Sequence, residues 1–200
     1  MSESTRQLLY SERYERGESR CVILALARDD VVLEVGAGIG YLSALCALRL
    51  GSEKVHTYEA NPKLIPVIVR NHRLNGVMPC VFNAMLADQT GTTRFFPAEN
   101  FFSSTGVVTD SALPGIDVPT LSVREEFARI HPTFVLMDIE GGESSLVPLI
   151  DWTGVRKLAI ELHPHFLGAA GMKQVLSQLE SAGFSEHRFL SSHRKRFFFR

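Results

Sequence analysis

The sequence lacks a charge bias: 21 Lys and Arg stand against 22 Asp and Glu, for a formal net charge of −1. No global field draws it to nucleic acid or to an anionic membrane, so either partner would need a local patch. Cysteine is scarce, and Cys21, Cys46 and Cys80 lie far apart. Neither a CxxC pair nor a local Cys/His cluster occurs, which argues against a disulfide scaffold and a zinc site; no metal is expected. Each cysteine sits in an apolar run, where it reads as a small hydrophobe in a reducing compartment. No apolar run reaches the roughly 20 residues that span a bilayer. The segment Met1 to Arg20 is polar and has no signal-peptide core. The expectation is a cytoplasmic protein with no membrane partner.

The chain of 200 residues has room for one α/β domain with a sizeable core. Strand and helix signals alternate. Val31–Val35 is an apolar run ending at Gly36, and Tyr41–Leu50 is a Leu- and Ala-rich helix stopped by Gly51. Lys54–Tyr58 is a second strand. Asn61-Pro62 opens a helix that reaches about Leu74, with Asn61 as cap. Strands follow at Pro79–Ala84 and Thr92–Phe96. Residues 97–119 have no periodicity and read as a long loop, a lid or an unstructured segment. Ser122 caps a helix to Ile130 with Glu125 as its reciprocal partner. Strands at Thr133–Met137 and Val155–Leu162 flank a helix at Glu143–Ile150, and a helix at Met172–Ala182 follows. Phe184–Leu190 and Lys195–Phe199 are joined by a short turn and must pair antiparallel. The three Phe residues 197–199 predict a strand covered on both faces. The sum is a mostly parallel seven-stranded sheet with helices on both faces and a C-terminal antiparallel hairpin. With no repeat or linker, residues 1–200 read as a single domain, and 1–16 as an N-terminal extension or lid.

The strongest chemical signal is Glu34-Val35-Gly36-Ala37-Gly38-Ile39-Gly40, where a strand runs through a glycine turn into a helix. Glycines let a ligand lie against bare backbone at the carboxyl ends of the strands. The dinucleotide fingerprint is GxGxxG, with a pyrophosphate at the helix start. Here the spacing is GxGxG, and the Glu34 carboxylate would repel a pyrophosphate while attracting a cationic cofactor. Glu59 ends the second strand, 23 residues after Gly36, where a carboxylate accepts hydrogen bonds from ribose hydroxyls. Ala60 follows it. Asn83 and Ala84 end the third strand and border the place of a base.

The segment Asp138-Ile139-Glu140-Gly141-Gly142-Glu143 closely resembles the DxEGxE motif of FkbM-type methyltransferases. Other segments resemble that family in the same order: Tyr14-Glu15, the glycine turn through Tyr41, Tyr58-Glu59-Ala60-Asn61-Pro62, Asn71 and Asn75, and Ala159-Ile160-Glu161-Leu162-His163. Departures are Glu34, Gly38 and Leu121-Ser122, where the family often has Asp, Asn and Leu-Asp. The resemblance implies a Rossmann-like methyltransferase fold, S-adenosyl-L-methionine as cofactor, and usually O-methylation. Its cofactor contacts would be Glu34, Gly36, Ala37, Gly38, Gly40, Glu59, Ala60, Asn83, Ala84 and Asp138.

Methyl transfer to a hydroxyl needs an oriented acceptor and a group that takes its proton. Asp138, Glu140 and His163 are the catalytic candidates, all at the ends of crevice strands. Asp138 can hold the cofactor's ammonium, orient the acceptor or take its proton. Each carboxylate can instead cap the next helix. His163 and His165 suit base chemistry or mark a polar loop. Phe101 and Phe102 either close over a ligand or pin their loop to the core. The basic run His193–Arg196 is a patch for an acidic partner or a solvated turn. The acceptor read from all this is a small molecule, a sugar or secondary metabolite. RNA or protein methylation and a catalytically silent binding module are the alternatives. The DPPY or NPPY tetrad of base and glutamine methylation is absent, which speaks against nucleic-acid bases.

Overall fold

The computed structural model describes residues 16–96 and 115–200. Helix α1 (Arg16–Ala25) precedes β1 (Val32–Val35), α2 (Tyr41–Leu50), β2 (Val55–Tyr58), α3 (Ile65–Leu74) and β3 (Cys80–Phe82). Three strands and a helix follow: β4 (Met85–Ala87), β5 (Gly91–Phe95), β6 (Ile116–Ser122) and α4 (Val123–Ile130). The chain then forms β7 (Phe134–Met137), the short α5 (Glu143–Leu146), β8 (Lys157–Glu161), α6 (Pro164–Ser181), β9 (Ser185–Glu186) and β10 (Lys195–Phe199).

Seven strands form the main sheet in the order β3-β2-β1-β7-β8-β10-β9. The first five are parallel, and β10 runs antiparallel to both β8 and β9. This is the predicted α/β arrangement. The chain builds outward from β1 to β3 and returns to place β7 against the other side of β1. Such a reversal leaves a crevice at the carboxyl ends of the two strands it separates, because their following segments depart in opposite directions.

Alternation along the strands divides the core. Leu33, Val35, Val135, Leu158 and Ile160 face one layer. Val32, Phe134, Leu136 and Ala159 face the other, under Val22 of α1 and Leu42 and Cys46 of α2. Both β1 and β7 are buried along their whole length, as strands with helices on both faces should be. Among the described residues no helix is long and apolar enough to cross a membrane.

Several expectations need correction. Residues 97–114 lie outside the described residues, so the readings of Phe101 and Phe102 as lid or pin do too, as does the extension read at the N-terminus up to residue 15. Ile116–Ser122, however, is a strand and not loop: it is the middle of a second sheet ordered β4-β6-β5. Pro119 masks the signal, yet Val118, Thr120 and Ser122 are buried alternately. Ser122 does cap α4, accepting from the Glu125 N–H at 3.5 Å, but the reciprocal half is missing: the Ser122 N–H goes to the Thr90 hydroxyl at 3.1 Å and not to Glu125. Helix α6 begins at Pro164, much earlier than predicted, because proline at the first helical position forfeits no hydrogen bond; Gly168, at φ 61°, interrupts it. The polar loop read at His163 is therefore a helix start. The first hairpin strand shrinks to Ser185–Glu186. Phe197 and Phe198 are buried, but Phe199 is 43% exposed. Cys21 and Cys46 are buried as small hydrophobes, whereas Cys80 is exposed.

Candidate active site

The sheet register assembles the site. Tyr58, Val35, Met137 and Ile160 are lateral neighbours on β2, β1, β7 and β8. The next residue on each strand is therefore Glu59, Gly36, Asp138 and Glu161, in one row at the carboxyl edge. The returning strand adds Lys195 opposite Glu161. Glu18, in the first turn of α1, contacts Lys195. A narrow cavity runs down between α2 and the sheet, lined by Glu18, Glu34, Gly36, Leu42 and Asp138 among others.

The glycine turn is built by close approach. Gly36 takes φ 88°, and a Cβ there would overlap the Asp138 carbonyl oxygen. Gly40 takes φ 77°, and a Cβ would press on Ile68 and His72 of α3. Only glycine fits both the conformation and the space. Gly38 offers its N–H to Glu59 Oε2 at 2.9 Å, and Asn61 offers its own to Oε1 at 2.8 Å. Burial raises the Glu59 pKa, and these N–H groups oppose the rise. Ala37 is buried against Leu64 and Ile68. Asn83 donates its amide to the carbonyls of Glu59 (2.8 Å) and Ala60 (3.1 Å), pinning the β2 end, and Ala84 is buried beside it. The turn, Glu59, Ala60 and Asn83 thus form one hydrogen-bonded unit.

Glu34 sits differently from its expected place at a strand end. It lies inside β1, buried under α2, and accepts from the Thr57 hydroxyl. Burial pushes its carboxyl from the ordinary 4.5 up to about 7, against the pull of the Thr57 and Ser43 hydroxyls. Between about pH 4.5 and 7 the folded chain then keeps a proton that the unfolded chain has released. The unfolding free energy therefore falls as pH rises through that window and levels off above it. The difference is on the order of 3 kcal/mol. Glu34→Gln, which cannot ionise, should flatten this slope. Urea unfolding on both sides of the window checks it, and a variant with the parental slope would locate the titration elsewhere.

Asp138, Glu140, Glu161 and His163 meet at the ends of β7 and β8. His163 Nδ1 lies 2.6 Å from Glu143 Oε1, both side chains buried. Its Nε2 lies 3.2 Å from Glu140, 3.6 Å from Asp138 and 3.8 Å from Glu161. Burial opposes the imidazolium, but Glu143, Asp138 and Glu140 outweigh it and hold the His163 pKa above its ordinary value. Burial, and then the Glu161 charge, push Asp138 up to about 8. Its Oδ1 is enclosed without a hydrogen-bond partner, while the side chain as a whole is 41% open to the crevice. Burial likewise raises Glu140. Glu140 turns through φ 42°, which brings its carboxylate to the same imidazole as Asp138.

Sequence reasoning leaves five participants without a role in the site: Glu18, Glu143, Glu161, Arg194 and Lys195. Arg194 holds Glu161 at 2.8 Å and Lys195 holds it at 3.4 Å, so the basic run is not simply a solvated turn. The antiparallel return of β10 is the signal that could have placed Lys195. His165 meets His163 edge-to-face, with ring centroids 5.9 Å apart.

Comparison of the sequence with protein-family models and with curated proteins gives no match. Among solved structures, the chain is similar to the ribosomal protein L11 methylase of Lactobacillus delbrueckii subsp. bulgaricus. The TM-score is 0.54 at 11% identity, over 92% of this chain and 75% of that one. It is similar also to the precorrin-6y C5,15-methyltransferase of Geobacter metallireducens GS-15, with a TM-score of 0.52 at 13% identity, over 92% and 85% of the two chains. The likeness is one of fold: this chain has the Rossmann-like arrangement of these methyltransferases.

Proposed function

We propose that the chain is an S-adenosylmethionine-dependent methyltransferase of the FkbM type, acting on a hydroxyl of a small molecule. The observation that carries this reading is the row Glu59, Gly36, Asp138 at the point where the sheet order reverses. It provides an acidic anchor, bare backbone and a carboxylate oxygen without a partner, side by side. Bound S-adenosylmethionine supplies a methyl group activated by a sulfonium. Each Glu59 oxygen takes one backbone N–H and keeps lone pairs for ribose hydroxyls. Glu34, behind the turn, and Asp138, at its mouth, favour a ligand with a positive end and disfavour a pyrophosphate. Asp138 and Glu140 face the acceptor side, where they orient a hydroxyl and accept its proton.

The convergence on His163 gives the DxEGxE spacing a physical reason. Asp138, Glu140 and Glu143 all aim at one imidazole. Gly141, at φ 95°, must lack a side chain because the Phe166 Cβ lies 2.7 Å and its ring 2.8 Å from where the Gly141 Cβ would be. Calorimetry tests the cofactor: the chain should bind S-adenosylmethionine and S-adenosylhomocysteine but not NAD. Glu59→Ala should weaken that binding by about 1.5–3 kcal/mol, the range for hydrogen bonds to a charged group. Preference for NAD would overturn the reading. A screen of hydroxyl acceptors with methyl-labelled cofactor tests the substrate class.

A further inference from the structure

Among the described residues, acids outnumber bases around the crevice. Glu18, Asp138, Glu140, Glu143 and Glu161 are met by His163, Arg194 and Lys195. The more telling feature is His163, which is completely buried. Its Nδ1 faces the Glu143 carboxylate at 2.6 Å, an acceptor that fixes the proton on that nitrogen. In the neutral imidazole the lone pair of Nε2 then points into the cluster. Among the described residues Nε2 has no hydrogen-bond partner, and neither has the buried Asp138 Oδ1 that lies 3.6 Å from it. These two atoms, facing each other across that distance, are placed to share one positive charge, a proton or a metal ion.

We propose that Asp138, Glu161 and His163 bind one divalent cation, with Glu143 as the residue that orients the imidazole. One ligand atom from each of the three lies within 4.8 Å of the others. Ligands on a cation with bonds of about 2.0–2.2 Å stand roughly 3–3.6 Å apart, close to the spacings around Nε2. Two carboxylates and one imidazole suit Mn²⁺ or Zn²⁺ and disfavour soft, thiolate-seeking metals. A carboxylate behind the ligating histidine is the usual means of fixing its tautomer and orientation. Arg194 and Lys195 share Glu161, which leaves Asp138 and His163 as the firmer ligands. The open side of the site is that of Asp138, toward the crevice, so oxygen atoms of an acceptor complete the coordination. That last role rests on the methyl-transfer reading; the binding of the cation does not.

The experiment is a titration of the full chain, stripped with a chelator, with Mn²⁺ and no cofactor, counting free Mn²⁺ by electron paramagnetic resonance. One Mn²⁺ should bind per chain. Asp138→Asn, at a half-open position that tolerates the change, should weaken binding by at least about tenfold, and Glu143→Gln by about 10–100-fold, as for other residues behind a metal ligand. Circular dichroism confirms that each variant is folded. No bound Mn²⁺, or equal affinity in Asp138→Asn, overturns the proposal. So does stoichiometric displacement of Mn²⁺ by S-adenosylhomocysteine, which would make the cluster a pocket for the cofactor's ammonium. Because the titration omits the cofactor, its failure leaves the methyl-transfer reading standing. Failure of cofactor binding, in turn, leaves the cation site standing.

Discussion

Asp138→Asn should lower methyl-transfer turnover by about 10²–10⁴-fold, the usual contribution of a positioned acid or base, while S-adenosylhomocysteine affinity changes only a few-fold. Asparagine keeps the volume and one acceptor oxygen but can neither ionise nor take up a proton. The backbone of Asp138 stays in place in either case: its N–H bonds to Val35 at 2.9 Å and its carbonyl packs on Gly36. What changes is the side chain alone, which points to the Nε2 edge of His163. A parallel loss of turnover and cofactor affinity would assign Asp138 to the cofactor's ammonium. Unchanged turnover on a true acceptor would remove it from the mechanism and leave Glu140, 3.2 Å from the same nitrogen, as the next candidate.

The variant also bears on why a methyltransferase would gather so many carboxylates. Each is buried or half-buried, and burial raises the pKa of Glu18, Glu34, Glu59, Asp138 and Glu140 alike. Such a site is strained toward protonation when empty and is relieved by an incoming positive charge. The preference for a cationic ligand is thus a property of the whole crevice and not of one contact.

Much of this was legible from local pattern. The glycine turn, Glu59 and the strand ends are short-range features, set by a β-branched run followed by glycine or a polar residue. Helix α2 and its glycine stop follow the same logic. What local pattern does not carry is lateral register. Glu161 and Lys195 are neighbours only because β10 runs back beside β8. Glu18 joins them because α1 covers the Val32–Leu136 face of the sheet. Glu143 reads from sequence as an ordinary first-turn helix acid and acquires its meaning from His163, 20 residues away. Strand β6 is hidden for a different reason: Pro119 interrupts it, and its parallel partner β4 has only three residues.

The same return strand should dominate stability. Phe197 faces the layer under α1 and α2, its ring meeting Phe134 edge-on at 6.0 Å. Phe198 faces the opposite layer, with Leu158 and Phe184. Arg200 ties the end of β10 to the Val155 carbonyl at 2.7 Å and to that of Ala182 at 2.8 Å. Deleting Lys195–Arg200 removes all of these, strips β9 of its partner and bares the edge of β8. The truncated chain should therefore fail to fold cooperatively. Single substitutions grade the effect. Phe197→Ala and Phe198→Ala should each cost about 3–5 kcal/mol, the range for a buried aromatic replaced by alanine. In a chain of this size that lowers Tm by roughly 6–20 °C. Phe199→Ala should cost well under half as much, because that ring is already 43% exposed. Calorimetric melting of the three variants decides it: equal shifts at positions 197 and 199 would show that β10 is a surface strap. A truncated chain that melts like the parent would show the same.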